Sequence, residues 1–401
     1  MNKLFDYQKN AFQHLKKWKV GALFMEAGTG KTRVAVKIAN NIKDLNEIIY
    51  IAPLRIVKES EFSVKKEIEK CGGFNAPVRY YGVESIGQSD RIFLELQQHM
   101  EENGKKMLIV DESLKIKNSF AKRTKRLLEL APKATYRLIL NGTPITRNIV
   151  DLWAQMEFLS PLILKMNYAE FINTFCKTTV ITKKIGSWVK SQKTIITGYT
   201  NIDYLYSLIR PYIFESSLSL EISQNYKTID FELTDEEIEN YLYVKEKYLN
   251  YFEYEHVPLL ELLQALQHSY CCAFFKKYSL DKLFETIPEK ETVIFCKYID
   301  SQEFCKKNYP NAQILSYGKN SYGLNMQKYR YTIFWDKTWD LAERIQAGRR
   351  TYRTGQKNDC ICYDLTANTG LDKMIEKNIT KKTDMLEYFK KKTKEDIKKL
   401  L

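Results

Sequence analysis

No run of apolar residues in this chain approaches the roughly 20 that a bilayer-crossing helix needs. The first residues, MNKLFDYQKN, lack the apolar region of a secretory signal. Eight cysteines are present, yet no CxxC pair occurs, and the four histidines (His14, His99, His256 and His268) are scattered. That excludes the compact Cys/His spacing of a structural zinc site. The expectation is reduced thiols in a cytoplasmic protein with no membrane segment. No internal repeat is visible, and only the lysine-rich end is compositionally simple. Acidic residues vanish between Phe171 and Ile202, where Lys177, Lys183, Lys184, Lys190 and Lys193 all fall. A single glycine-rich phosphate loop is found in 401 residues, a length that suggests two or three domains.

Positive charge is in excess. The net charge of +14 points to a polyanionic partner, most often nucleic acid. A lysine-rich surface set by genome composition is the plainer alternative.

The phosphate loop organises the rest. An apolar run, Val20 to Phe24, leads into MEAGTGKT, and an amphipathic stretch, Arg33 to Asn41, leads out. That is strand, loop, helix. Gly28 and Gly30 let the backbone approach phosphate oxygens, and the loop amides from Ala27 through Thr29 to Thr32 point at the anion. Lys31 can reach the β- and γ-phosphates, and Thr32 can hold Mg²⁺. The first glycine of the general pattern is replaced by Met25.

A second landmark is MLIVDES, Met107 to Ser113. Four apolar residues form a buried strand with Asp111 and Glu112 at its carboxyl end, the edge where open parallel sheets bind ligands. Asp111 is expected to face the Mg²⁺ held by Thr32, and Glu112 to position or deprotonate the attacking water. IIYIAPL (from Ile48) and YRLILNGTP (from Tyr136) read as further buried strands. Phe171 to Ile202 reads as a basic β-hairpin around Gly186-Ser187. Lys183, Lys184 and Lys190 are candidates for phosphate contact there, and Trp188 for stacking. A second α/β unit is expected from near Ser279, with strands at ETVIFC, AQILSY, YTIFWD and CICYDL. The tail from Lys381 reads as a basic amphipathic helix.

Ordered blocks along most of the chain resemble the superfamily-two helicases, and within them the Swi/Snf-related ATPases. DYQ (Asp6 to Gln8) resembles the adenine-reading block, EAGTGKT the Walker A, and DESLKIKN (Asp111 to Asn118) the DEAHxxKN Walker B. IAPL (Ile51 to Leu54) resembles the block that meets the nucleic-acid backbone, and NGTPI (Asn141 to Ile145) the coupling block. SYGLNMQ (Ser321 to Gln327) resembles GGxGLNLQ, and QAGRRTYRTGQ (Gln346 to Gln356) resembles the QAxxRxxRxGQ block. The resemblance implies two tandem RecA-like parallel-sheet α/β domains with an interposed helical and β-hairpin region. The expected division is 1–160, 161–275, 276–380 and a tail 381–401.

The resemblance also implies ATP with Mg²⁺. Gln8, Gly323 and Gln346 would join the loop at the nucleotide, and Pro53, Leu54 and Asn325 would touch nucleic acid. Arg350 and Arg353, spaced i, i+3 and on one face if helical, would reach the γ-phosphate when the domains close. Three departures stand out. Leu114 replaces the DEAH histidine, Arg349 replaces an acid, and a short segment between ETVIFC and AQILSY abbreviates the second domain.

The expected function is an ATP-driven translocase or helicase in replication, recombination or repair. It would act as a monomer on DNA, duplex or branched in preference to RNA; a protein partner is left open. An RNA helicase or annealing factor, and an ATP-switched clamp, are the alternatives; the second arginine block disfavours a phosphate-loop kinase. Compactness and lysine content resemble a phage or mobile-element protein, and so a host-cytoplasm location.

Overall fold

The computed structural model describes residues 4–58, 63–142, 149–185, 188–216, 222–254, 259–317, 326–338, 340–353 and 355–380. Gly323, Asn325, Thr143 to Ile145 and the tail from Lys381 lie outside the described residues. The chain divides into two compact units, Met1–Leu218 and Ser219–Leu401.

The first unit is built on a six-stranded parallel sheet. Its strands are β1 (Val20–Met25), β2 (Leu45–Ala52), β3 (Val78–Gly82), β4 (Lys105–Asp111), β5 (Tyr136–Asn141) and, after the hairpin strands β6 (Cys176–Ile185) and β7 (Trp188–Tyr199), β8 (Ile213–Ser216). The order is β3-β2-β4-β5-β1-β8. Ala22, Leu23, Ile48 to Ile51, Leu108 to Val110, Ile139 and Leu140 are all buried. Such continuous apolar runs need cover on both faces, which the intervening helices supply. β5 sits between β1 and β4, pairing with both in register. The carboxyl ends of these three strands are therefore neighbours, although 86 residues separate Met25 from Asp111 in the chain.

The basic segment forms the expected antiparallel hairpin, with Ile185 opposite Trp188. Lys183 pairs with Ser191 and Lys184 with Val189, which leaves Lys190 as the extra residue of a bulge. The side chains of residues 181–193 lie outside the described set. The base of the hairpin is anchored by helix Tyr168–Phe175, whose Phe171 and Phe175 are buried in the first unit's core.

The second unit carries a five-stranded parallel sheet of β9 (Gln224–Phe231), β10 (Thr292–Cys296), β11 (Gln313–Ser316), β12 (Tyr331–Phe334) and β13 (Cys360–Ala367). The order is β11-β10-β12-β13-β9. Two wholly parallel sheets meet the expected fold class. The segment 161–275, expected as a separate insertion, is instead shared between the units. β8 joins the first sheet beside β1, and β9 joins the second beside β13. β9 escaped notice because it is an edge strand with mostly exposed residues, so it carries no apolar run.

Helix Leu341–Gly348 ends before the two candidate arginines, so Arg350 and Arg353 lie in the turn beyond it rather than on one helical face. The helix stops where Gln224 of β9 donates to the Gly348 carbonyl at 2.8 Å. A Cβ at Gly348 would come within 3.0 Å of the Tyr226 hydroxyl. Among the described residues, no helix is long and apolar enough to cross a membrane.

Phe171→Ala should lower first-unit stability by about 3–5 kcal/mol, since a fully buried ring leaves a cavity. Leu162→Ala, at a residue 74% exposed, should stay within about 0.5 kcal/mol of the parent. Urea unfolding measures both; an unchanged midpoint for Phe171→Ala would contradict the anchoring of the hairpin in this core.

Candidate nucleotide site

The loop after β1 has the backbone that its glycines permit. Gly28 and Gly30 sit at φ +88 and +79, the left-handed region. Gly30 caps helix Lys31–Asn40, whose first amides face outward without a side-chain cap. Glycine is also required at 30 for space, because a Cβ would come within 2.5 Å of the Gln8 amide nitrogen. That nitrogen donates to the Thr29 carbonyl at 2.7 Å, and Gln8 Oε1 accepts from the Phe5 amide. Buried Gln8 is thus a strut under the loop. Thr29 is buried as well, and its hydroxyl donates back to the Glu26 carbonyl at 2.7 Å.

Lys31 Nζ donates to the carbonyls of Met25 at 2.9 Å and Glu26 at 3.4 Å. The end of β5 lies against the same place: a Cβ built on Gly142 would be 3.5 Å from Ala27 N and 3.8 Å from Lys31 Nζ. The end of β4 supplies the acids. Asp111 Oδ2 accepts from the Tyr50 hydroxyl at 2.9 Å, and Oδ1 accepts from the Glu112 amide at 2.9 Å. Glu112 itself has φ +51, a left-handed conformation that costs a non-glycine residue on the order of 1–3 kcal/mol. It is stabilised by the 3₁₀ turn that follows, where buried Ser113 donates to Gln155 at 2.6 Å. Gln155 in turn donates to the Asp151 carbonyl.

Burial, then the neighbouring Glu112 charge, push the Asp111 carboxyl up to about 7, with Lys31 and the Tyr50 hydroxyl opposing and Glu67 adding to the rise. Burial, then Asp111, hold the Tyr50 phenol well above its ordinary value. A crowded carboxylate of this kind is a place where added positive charge is favoured. The Thr32 hydroxyl and the Asp111 carboxylate are hard oxygen donors of the sort Mg²⁺ takes alongside nucleotide phosphates. Among the described residues, no three His, Cys, Asp or Glu side chains are grouped to hold a metal alone. The site fits an ion that arrives with a nucleotide.

On the neighbouring β2 end, Pro53 is buried and Leu54 half-buried; the Leu54 amide donates to Glu84 at 2.8 Å, and its side chain leaves room only for glycine at Gly82. In the second unit Arg350 is 5% exposed, and its amide donates to the Ala347 carbonyl. The Thr351 hydroxyl meets that of Thr332 on β12 at 3.0 Å, in the interior. Gln346 Oε1 is buried without a hydrogen-bond partner among the described residues. Gln356 ties the end of its block to Gln327 and Tyr329 through their carbonyls, both at 2.9 Å.

Tyr50, Glu67 and Gln155 did not emerge from the sequence. Tyr50 hides inside an apolar strand, and the other two belong to helices whose inward face no motif marks.

Two families match this chain. Residues 82–271 match the SNF2-related domain, and residues 1–146 match the type III restriction enzyme res subunit. Over these residues the chain resembles the Swi/Snf-related superfamily-two helicases. Among its relatives is the putative ATP-dependent helicase/translocase YwqA of Bacillus subtilis. It is 22% identical over 67% of this chain and 34% of its own length. Helicase domino of Drosophila melanogaster is 26% identical over 48% of this chain and 6% of its own length. The chain thus spans about a third or less of both relatives. The Sulfolobus solfataricus SWI2/SNF2 ATPase core in complex with dsDNA aligns over 100% of this chain and 97% of its own, with 18% identity and a TM-score of 0.44.

The Asp111 environment predicts a pH signature. The carboxyl titrates near 3.8 when the chain is unfolded and near 7 when folded. Between those values the folded state binds more protons, so stability falls as pH rises through this window and levels off above it. Asp111→Asn removes the ionisable group. In nucleotide-free, EDTA-treated protein its melting temperature should exceed the parent's at pH 8 and approach it at pH 4. A difference that does not change with pH would contradict this electrostatic origin.

Proposed function

We propose that this chain is an ATP-driven motor on DNA, a translocase or helicase that couples hydrolysis to movement along the duplex. The observation that carries the reading is the meeting of a phosphate loop, a threonine hydroxyl and two adjacent acids on the carboxyl edge of one parallel sheet. In such sheets this edge binds ligands.

In this reading the amides from Ala27 to Thr32 and the Lys31 ammonium bind the ATP phosphates, and Lys31 exchanges its loop carbonyls for phosphate oxygens. Thr32 and Asp111 hold the Mg²⁺, which when bound neutralises charge on the phosphate oxygens. Glu112 orients the attacking water and takes its proton. Its left-handed backbone turns the acid out of the strand line, which suits a group that must face the reacting phosphate. Arg350 and Arg353 of the second unit supply positive charge to the γ-phosphoryl in the transition state. Gln8 supports the loop and reads the base; Gly323 and Gln346 join the nucleotide contacts. Pro53, Leu54 and Asn325 with the lysines and Trp188 of the hairpin form the DNA contacts. The basic hairpin favours a polyanion but does not by itself distinguish DNA from RNA. The QAGRRTYRTGQ block carries the preference for duplex DNA, and the pathway served is replication, recombination or repair.

Glu112→Gln should lower duplex-stimulated ATP hydrolysis by at least about 10²-fold while ATP binding survives. Arg350→Ala should lower turnover by about 10³-fold with a far smaller change in ATP affinity. Equal losses of binding and turnover for Arg350→Ala would count against its assigned role, and normal turnover in Glu112→Gln would sink the proposed chemistry. The same assay run with duplex, forked and single-stranded DNA and with RNA identifies the substrate; stimulation by RNA alone would favour the RNA-helicase alternative.

Replacing Lys183, Lys184 and Lys190 by Ala should weaken duplex binding and flatten the slope of log K against log salt by about 0.9 for each phosphate that is no longer neutralised. An unchanged slope would remove the hairpin from the interface.

A further inference from the structure

Helix Val64–Lys70 belongs to none of the sequence blocks, yet it reaches the nucleotide site. Ser63 caps it by accepting from the Lys66 amide, and Val64 and Ile68 bury one face. The helix packs against helix Lys31–Asn40. Glu67 lies between Val64 and Ile68, half-buried, and its Oε1 accepts from the Thr32 hydroxyl at 3.0 Å. Thr32 is itself only 6% exposed. A carboxylate reaching 35 positions back to the loop hydroxyl that the proposed site gives to the metal is more than a helix-to-helix tether requires.

A threonine hydroxyl has one proton and two lone pairs. When the proton is committed to Glu67, the lone pairs are left for a cation, and the hydroxyl oxygen gains negative character from the charge-assisted bond. Outer residues that orient a ligand in this way are a general means of tuning metal affinity. We infer that Glu67 is a positioning residue for the divalent cation that accompanies ATP: it fixes the Thr32 hydroxyl with a lone pair facing the ion. Glu67 acts through Thr32 and makes no contact with the reacting atoms. The inference rests on the proposed nucleotide site, and it adds a third acid, from outside the Walker motifs, to the two at the end of β4.

The test is the affinity of fluorescent ADP for the full chain, measured in Mg²⁺ and again in EDTA, for the parent, Glu67→Gln and Glu67→Ala. The parent should bind more tightly with Mg²⁺. In Glu67→Ala that gain should shrink by about tenfold, while the affinity in EDTA stays at the parental value. Glu67→Gln keeps an acceptor oxygen without the charge and should retain more of the gain than Glu67→Ala. A Mg²⁺ gain that is unchanged in both variants would overturn the inference. So would an equal loss of affinity with and without Mg²⁺, the mark of a purely structural tether. Should the parent bind no ADP under either condition, the nucleotide site itself would fall with it.

Discussion

Asp111 ends a strand that is buried on both faces, so its carboxylate gives up the hydration that would keep it ionised at ordinary pH. Glu112 and Glu67 press in the same direction. Lys31 opposes them through space, and Tyr50 and the Glu112 amide each donate to one of its oxygens. The carboxyl is left poised near neutrality, and a cation entering beside Thr32 meets a group whose ionisation it favours. The geometry around it follows from strand order. Because β5 separates β1 from β4, the loop of Gly28 and Gly30 and the acid pair meet across the end of a single intervening strand, where Gly142 leaves the approach open.

The second unit holds its arginine block by other means. Gln224 of the edge strand stops the helix at Gly348, the Thr332–Thr351 hydroxyl pair pins the turn to β12, and Gln356 closes the block on the carbonyls of Gln327 and Tyr329. Deeper in the unit, Lys276 and Asp336 form a fully buried ion pair at 3.0 Å, with Lys276 also donating to the Cys271 carbonyl. Asp336 accepts from the Lys297 amide as well. Breaking such a pair leaves an uncompensated charge in the interior; the pair holds helix Phe274–Phe284 to the end of β12, and the Lys297 amide holds the end of β10 to the same carboxylate. Arg350 is thus carried on a turn secured at three points.

The strands that carry chemistry were legible because they are apolar runs ending in glycine or acid: Val20 to Phe24 before the loop, Met107 to Val110 before Asp111. Short or edge strands were not. β8 has four residues, and β9 exposes most of its side chains, so neither shows an apolar run, and the segment 161–275 gives no sign that its ends join the two sheets. The arginine pair illustrates a local limit. The i, i+3 spacing suits a helix, but a long-range hydrogen bond from Gln224 ends that helix first. Gln8 illustrates another. The sequence marks it as a nucleotide contact by resemblance, and only the fold reveals that its amide supports Thr29. Glu67 was invisible because the residue it serves is 35 positions away and no periodicity links the two.

The central claim is that hydrolysis drives movement along an unbroken duplex. Displacement of a third strand from a DNA triplex whose duplex remains intact reports that motion directly. The parent protein should release the third strand in ATP, with no release in ADP and none from Glu112→Gln. Brisk duplex-stimulated hydrolysis without any release of the third strand would contradict the claim and leave an ATP-switched clamp in its place.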